Sequence, residues 1–239
     1  IDLYDVVNEV FDEFEERIAE KGNIVENKLS AGTVLLANRS LVYTIVRNLV
    51  ENTLQIVTEI DGDNSRRCFV CDKAAGRACV IAGTGSNDTA YGIELSRYAC
   101  DVGYDALLIV TPYYNKTTQN GLVATFTAIA DASTKPVILY NVPSRTGCNL
   151  LPDTVNVLAD HPRIAAIKEA SGNISAVAKI AALCDIDIYS GNDDEVLACL
   201  AFGGKGVISV TSNCMPKEKH DEVMLFLEGK REEALAIQK

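Results

Sequence analysis

From Gly76 onward, short apolar runs alternate with longer amphipathic stretches, and this rhythm limits the fold more than any other property of the chain. The runs read as strands at 80–83, 106–110, 137–140, 164–168, 186–190 and 206–210. The stretches between and after them read as helices at about 88–102, 118–132, 152–160, 173–184, 193–202 and 217–228. Two strands separated by a helix run parallel, because the crossover returns the chain to the same end of the sheet. Six strand–helix units in a row therefore predict an α/β fold with a parallel sheet. Polar residues gather just after the strands, at Thr84-Gly-Ser-Asn87, Thr111-Pro-Tyr-Tyr114, Asn141-Val-Pro-Ser-Arg145, Glu169-Ala-Ser-Gly172, Gly191-Asn-Asp-Asp194 and Thr211-Ser-Asn213. That polarity belongs to a TIM (β/α)8 barrel, whose sites lie at the strand C-termini. Six units are two short of closure, so the expectation is a partial barrel.

Within that frame, Ile164-Ala-Ala-Ile-Lys168-Glu-Ala-Ser-Gly-Asn173 puts an amine near the end of a run that reads as a buried strand. Lysine is almost never fully buried without a partner. Burial lowers its pKa and leaves part of it as free amine, the form a Schiff-base nucleophile needs. Lys168 also fits a plain strand end, with its stem packed and its ammonium in water. The stretch alone leaves both readings open.

Charge and composition narrow the partners. A formal net charge of −11 argues against a surface for nucleic acid or for an anionic membrane. No apolar run approaches membrane-spanning length, and no basic start with an apolar core marks a signal peptide. The eight cysteines fall mostly inside apolar segments, which suggests reduced, buried thiols in a cytoplasmic protein rather than a disulfide scaffold. Cys68 and Cys71 form the only close pair, with His161 and His220 far away, so no metal site is expected.

The first third has a different pattern. Leu3, Val6, Val7, Val10, Phe14 and Ile18 recur at helical spacing with acids between them, and Gly22 is a plausible stop. Short strands read at 24–29 and 33–37, and Ser40 can cap a helix running to about Val57. Asn48 and Asn52 share a face of that helix. This α-β-β-α start, with Asn48-Leu-Val-Glu-Asn52, resembles the beginning of a sensor histidine-kinase ATPase domain. The resemblance implies a nucleotide-binding fragment over 1–57, with both asparagines in the box that holds ATP through its magnesium ion. The glycine-rich boxes of that family do not follow, and an amide pair without its phosphate loop has little to bind. Solvated helix residues are the alternative reading of both. Residues 58–75 carry turn and charge signals without periodicity and read as a junction.

Over 76–239 the motifs are more specific. Ala82-Gly-Thr-Gly-Ser-Asn87, Thr111-Pro-Tyr-Tyr-Asn115, Tyr140-Asn-Val-Pro-Ser-Arg-Thr-Gly147, Ala166-Ile-Lys-Glu-Ala-Ser-Gly172 and Tyr189-Ser-Gly-Asn-Asp193 occur in order. Together they resemble the dihydrodipicolinate synthase family, a class I pyruvate-dependent aldolase family. The resemblance implies strands 3–8 of the barrel and condensation of pyruvate with L-aspartate 4-semialdehyde in the diaminopimelate route to lysine. It implies Lys168 as the imine-forming residue, Tyr140 as proton donor and acceptor, and Tyr114 as a relay tyrosine reaching a neighbouring subunit's site. Arg145 would bind the semialdehyde carboxylate, for which a planar guanidinium is suited. Gly191 and Ile208 would line the pyruvate site, while Asn87 and Tyr113 would belong to part of a lysine-binding site. No cofactor beyond the covalent imine is implied, and a homo-oligomer, dimer or tetramer, is. Read without the resemblance, Tyr140 is a packed strand-end aromatic, Arg145 a solvated charge, Tyr113 and Tyr114 a packed surface pair, and Gly191 and Ile208 turn and core residues. Thr84-Gly-Ser86 is a weak phosphate-cradle candidate.

Two departures shape the expectation. The family's first two strand–helix units, with a Gly-Thr-Thr-Gly-Glu motif that links its tyrosines, have no counterpart in residues 1–75. The chain also ends after Arg231-Glu-Glu-Ala-Leu235 without the family's C-terminal helices. An open six-stranded sheet with two edges implies low stability or self-association, and turnover below that of an intact member. The competing readings are another pyruvate-dependent lyase, such as N-acetylneuraminate lyase, and a non-catalytic fusion with a nucleotide-binding signalling fragment.

Overall fold

Two units divide the chain, Ile1–Val70 and Cys71–Lys239, and the computed structural model describes residues 2–20, 27, 29–31, 39, 69–74 and 76–238. In the first unit, helix α1 spans Leu3–Glu13 and α2 spans Glu15–Glu20. The Asp2 carboxylate caps α1 by accepting the Tyr4 N–H at 2.9 Å. Val6, Val10, Phe14 and Ile18 are buried, as their spacing predicts. The predicted single helix is broken at Phe14, whose N–H is shared between the Val10 and Phe11 carbonyls at 3.3 and 3.1 Å. This local tightening interrupts the helix without rotating the apolar stripe away. The strands expected at 24–29 and 33–37, the helix expected from Ser40, and both Asn48 and Asn52 lie wholly or almost wholly outside the described residues. A short helix α3, Phe69–Ala74, occupies part of the stretch read as a junction.

The sheet has the order β1-β2-β3-β4-β5-β6. Its strands are β1 (Ile81–Gly83), β2 (Ala106–Val110), β3 (Val137–Asn141), β4 (Ile164–Glu169), β5 (Asp187–Ser190) and β6 (Gly206–Val207), all parallel to their neighbours. Between them run α4 (Thr89–Asp101), α5 (Gln119–Ala132), the single turn α6 (Pro143–Thr146), α7 (Pro152–Ala159), α8 (Ile174–Leu183) and α9 (Val196–Ala201). A sheet wound in sequence order without reversal keeps every right-handed crossover on one face, which is the construction of a (β/α)8 barrel rather than of a doubly wound sheet.

The two faces are packed differently. On the helix side, Leu107, Ile109, Val137, Leu139, Ile164, Ile167 and Ile188 join helix residues such as Phe126, Leu158 and Ile180 in the main core. On the inner side, Ala106, Ile138 and Ala166 form a smaller cluster with Leu108, Tyr189 and Ile208. Ile164 and Ile167 share the helix side although three positions apart, because the β3–β4 register shifts between Val137 and Ile138, whose partners are Ile164 and Ala166. The extra residue, Ala165, is a bulge that reverses the strand's phase.

The sixth strand stops three residues before the predicted 206–210. The Asp193 carboxylate accepts the N–H groups of Val210 and Thr211, both at 3.0 Å, and the Ser209 hydroxyl. Those bonds draw the chain off the sheet into a 3₁₀ turn, Thr211–Asn213. After α10 (Pro216–Leu227), residues Arg231–Gln238 form a further helix, α11, packed against α10 with Ala234 fully buried. The chain end is thus helical where the sequence reading saw only a truncation. The cysteines are less buried than their apolar surroundings predict. Among the described ones, Cys148 and Cys199 are buried, and Cys79 and Cys214 are exposed.

Candidate active site

The C-terminal ends of β3 and β4 bring a lysine and a tyrosine together. Tyr140 and Lys168 are register partners on adjacent strands. Because Ala165 bulges, Lys168 faces the inner side together with Tyr140 rather than the helices. Its Nζ stands 4.3 Å from the centre of the Tyr140 ring. Lys168 is only 8% exposed. Burial lowers its pKa from the ordinary lysine value, the Arg145 charge lowers it further, and Asp193 pulls the other way. A lysine so placed holds more free amine near neutrality than a solvated one.

Gly191 explains how the lysine stem fits. A Cβ there would lie 3.0 Å from Lys168 Cε, 3.2 Å from its Cγ and 2.5 Å from Ala170 Cβ. The absence of a side chain leaves the channel along which Lys168 reaches the inner face. The Gly191 N–H also donates to the Glu169 carbonyl at 2.7 Å, tying β5 to β4 at this level.

Arg145 lies on α6, directly after β3. Pro143 starts this turn, and Gly147 ends it in the left-handed region at φ 68°, which a side chain would strain. The buried Thr111 hydroxyl donates to Thr146 Oγ1 at 3.0 Å, and Thr146 Oγ1 bonds to the Cys148 carbonyl at 3.0 Å. These bonds pin the exposed Arg145 over the mouth of the strands. A cavity of about 500 Å³ opens there, lined by Gly83, Gly85, Leu108, Tyr113, Tyr140 and Arg145, among others. Lys168 adjoins it through the Tyr140 ring.

The other sequence-predicted residues are less gathered. Ile208 packs into the inner cluster, and its N–H donates to the Ser190 carbonyl at 2.9 Å. Tyr114 is 92% exposed at φ 68°. The Thr84-Gly-Ser86 stretch does not form a phosphate cradle. Thr84 Oγ1 is bonded to Ser96 Oγ at 2.8 Å, Ser86 Oγ accepts the Asp88 N–H at 3.1 Å, and Gly85 lies so close to β2 that a Cβ would meet Val110 N at 2.4 Å. Among the described residues, no group of His, Cys, Asp and Glu is placed to hold a metal ion, and no helix is long and apolar enough to cross a membrane.

Sequence reasoning passed over Asp193, Asn141 and Glu169. For Asp193, burial raises the pKa, but the Ser209 hydroxyl and the Thr211 and Val210 N–H groups outweigh it and hold the carboxyl below its ordinary value. Asn141 and Glu169 lie on the helix side, beneath the Tyr140–Lys168 pair. Two adjacent charged residues at the end of a buried strand, Lys168 and Glu169, were the available signal. One of them had to face the core.

A buried lysine at the end of a barrel strand, with a phenol beside it and a guanidinium at the mouth, has clear relatives. Residues 68–239 match the sequence profile of the dihydrodipicolinate synthetase family; the match does not extend to residues 1–57. The 4-hydroxy-tetrahydrodipicolinate synthase of Caldicellulosiruptor saccharolyticus is 58% identical over 171 residues, which cover 71% of this chain and 58% of that protein. Its counterpart in Clostridium tetani is 55% identical over 173 residues, or 71% of this chain and 59% of the relative. The crystal structure of dihydrodipicolinate synthase from Aquifex aeolicus superposes with a TM-score of 0.70 at 40% identity, covering 71% of this chain and 59% of that one. The chain thus spans less than two thirds of the length of these relatives. The order and spacing of the strands, the profile match and these identities agree: the chain belongs to the dihydrodipicolinate synthetase family.

Proposed function

We propose that this chain carries the imine-forming half-site of a 4-hydroxy-tetrahydrodipicolinate synthase, a class I aldolase-type lyase condensing pyruvate with L-aspartate 4-semialdehyde. One observation carries the reading: a buried Lys168 amine, held below its ordinary pKa, packed on the Tyr140 ring at the open end of the sheet. The amine attacks the pyruvate ketone, water leaves, and an iminium forms. The iminium withdraws electrons, a methyl proton departs, and the resulting enamine carbon bonds to the aldehyde carbon of the second substrate. The semialdehyde amine then closes the ring and displaces Lys168. Tyr140, whose ring lies beside the amine, carries the protons, and Arg145 receives the semialdehyde carboxylate by a two-pronged contact. Its guanidinium favours this substrate over those of other pyruvate-dependent lyases.

No metal or organic cofactor enters this scheme, and the setting is the reducing cytoplasm. The exposure and left-handed backbone of Tyr114 support a homo-oligomer in which this side chain serves a neighbouring copy. The test is borohydride reduction in the presence of pyruvate, followed by peptide mapping. The expected result is a pyruvyl adduct on the Lys168 peptide that disappears in Lys168→Met. A folded wild-type chain without an adduct would refute the reading.

A further inference from the structure

The helix side of β3 and β4 holds a polar group that packing does not require. Glu169 is 3% exposed and Asn141 is 1% exposed, and Asn141 is bonded to Leu150 of the main apolar core. A buried carboxylate costs free energy that a pair of apolar side chains would avoid. This one is fully engaged. Asn141 Nδ2 donates to Glu169 Oε2 at 3.0 Å, and the Ser171 N–H donates to Glu169 Oε1 at 2.7 Å. Asn141 Nδ2 also donates to Asn149 Oδ1 at 2.9 Å, and its own Oδ1 accepts the Leu150 N–H at 2.9 Å.

The placement of this network ties it to the site. Asn141 and Glu169 are register partners one step beyond the Tyr140–Lys168 pair. Successive residues of a strand face opposite ways, so each member of the back pair shares a backbone segment with a member of the front pair. Asn141 also fastens residues 149 and 150, the far end of the loop that carries Arg145. One buried amide thus joins the three segments that bear Lys168, Tyr140 and Arg145.

We propose that Glu169 and Asn141 are positioning residues, which clamp the ends of β3 and β4 from behind and thereby fix the separation of Lys168 from Tyr140 and the dryness of the lysine amine. The proposal rests on the reading of Lys168 as the imine-forming residue. Burial pushes the Glu169 carboxyl above its ordinary value, while Ser171 and Asn141 pull it back and Glu195 raises it again. The Cys199 thiol feels the same two carboxylates and burial above all, and is pushed up to about 11. Ser171, Asn141, Glu195 and Cys199 are thus the groups that act on Glu169, as Tyr140, Arg145 and Asp193 act on Lys168.

Competitive acetylation of the full chain, read by peptide mass spectrometry across pH, gives the titration midpoint of Lys168 without any substrate. Glu169→Gln turns an N–H either on the Asn141 amide or on the Ser171 N–H, and Asn141→Asp sets carboxylate against carboxylate. Asn141→Asp combined with Glu169→Gln restores the side-chain bond between β3 and β4 with its direction reversed. The expected result is a Lys168 midpoint that rises by about one pH unit, a tenfold loss of free amine, in each single variant, because water reaches the parted strand ends. The exposed Lys205 should not move, and the double variant should return Lys168 to its wild-type midpoint. Wild-type midpoints in both single variants, or a double variant that stays shifted, would overturn the proposal. Where one single variant does not fold, the other is read against the double variant on the same criterion. Shifted midpoints with no pyruvate adduct in the wild type would refute the imine reading and leave the clamp standing. Unshifted midpoints with a normal adduct would do the reverse.

Discussion

Replacing Gly191 by Ala adds one methyl carbon where the lysine stem passes. That carbon would sit 2.5 Å from Ala170 Cβ, 3.0 Å from Lys168 Cε and 3.2 Å from Lys168 Cγ. Carbon atoms pack at about 3.5–4.0 Å, so the first contact is short by roughly 1 Å. The lysine chain can turn aside, but Ala170 Cβ is fixed to buried backbone and cannot. The ends of β4 and β5 must therefore part, stretching the 2.7 Å bond from the Gly191 N–H to the Glu169 carbonyl. Overpacking of this kind costs about 1–3 kcal/mol. At about 2–4 °C per kcal/mol for a domain of this size, the Tm should fall by about 2–12 °C. The chemical effect should be larger, since a misplacement of about 1 Å at a reacting group lowers the rate by about 100-fold. Thermal unfolding paired with the initial rate of pyruvate trapping measures both. Gly206→Ala is the control, because a Cβ there meets only Tyr189 Cδ1 at 3.7 Å and its other neighbours at ordinary distances. It should trap pyruvate at the wild-type rate and be no less stable. A Gly191→Ala protein that melts and traps like the wild type would show that the stem does not depend on this gap.

Two further outcomes follow from charge. Burial and Arg145 hold the Lys168 pKa below 10.5 in the folded chain, so between that lowered value and 10.5 the unfolded chain binds more protons and stability should rise with pH. Lys168→Met should abolish that rise, with its advantage over the wild type greatest below the lowered value and fading toward pH 10.5; parallel urea-denaturation curves across this range would contradict it. The Asp193 carboxyl lies below its ordinary 3.8, so its contribution is present above that value and is lost as pH falls through the lowered one. Asp193→Asn, which takes the charge from an acceptor of three bonds, should cost about 1.5–3 kcal/mol at pH 7 and flatten the acid limb of the stability profile. Equal midpoints of wild type and variant in urea at pH 7 would exclude that role.

Most strand and helix positions of the second unit were legible because their signals are local. Apolar runs of strand length, caps such as Asp88 and Thr118, and the proline at the start of α7 all act within a few residues. The end of β6 was not legible, since it depends on Asp193 reaching across from the loop after β5. Arg231–Gln238 was missed for a different reason. Its residues are good helix formers, but the family resemblance points to helices beyond them and carries no information about their own propensity. In the site, Lys168, Tyr140 and Arg145 were marked by their motifs, whereas the isolation of Tyr114 in solvent could not be read from a pair of adjacent tyrosines.

The phase of β4 shows where sequence reading has to yield. Strict alternation from Ile164 would put Ala166 and Lys168 on the helix side and Glu169 on the inner side, exchanging amine and carboxylate. The bulge at Ala165 decides otherwise, and nothing in Ile164-Ala-Ala-Ile167 announces it. Its consequence can be checked on both faces at once. The inner side gains an amine beside a phenol ring, and the helix side must then accept a carboxylate. Among the described residues, Asn141 alone offers that carboxylate a side-chain amide, and it follows Tyr140 directly on the adjacent strand. The same register that joins lysine to tyrosine therefore joins glutamate to asparagine. A register slip of one residue would lose both pairs together, so the polar pair behind the sheet selects the register that the pair in front of it requires.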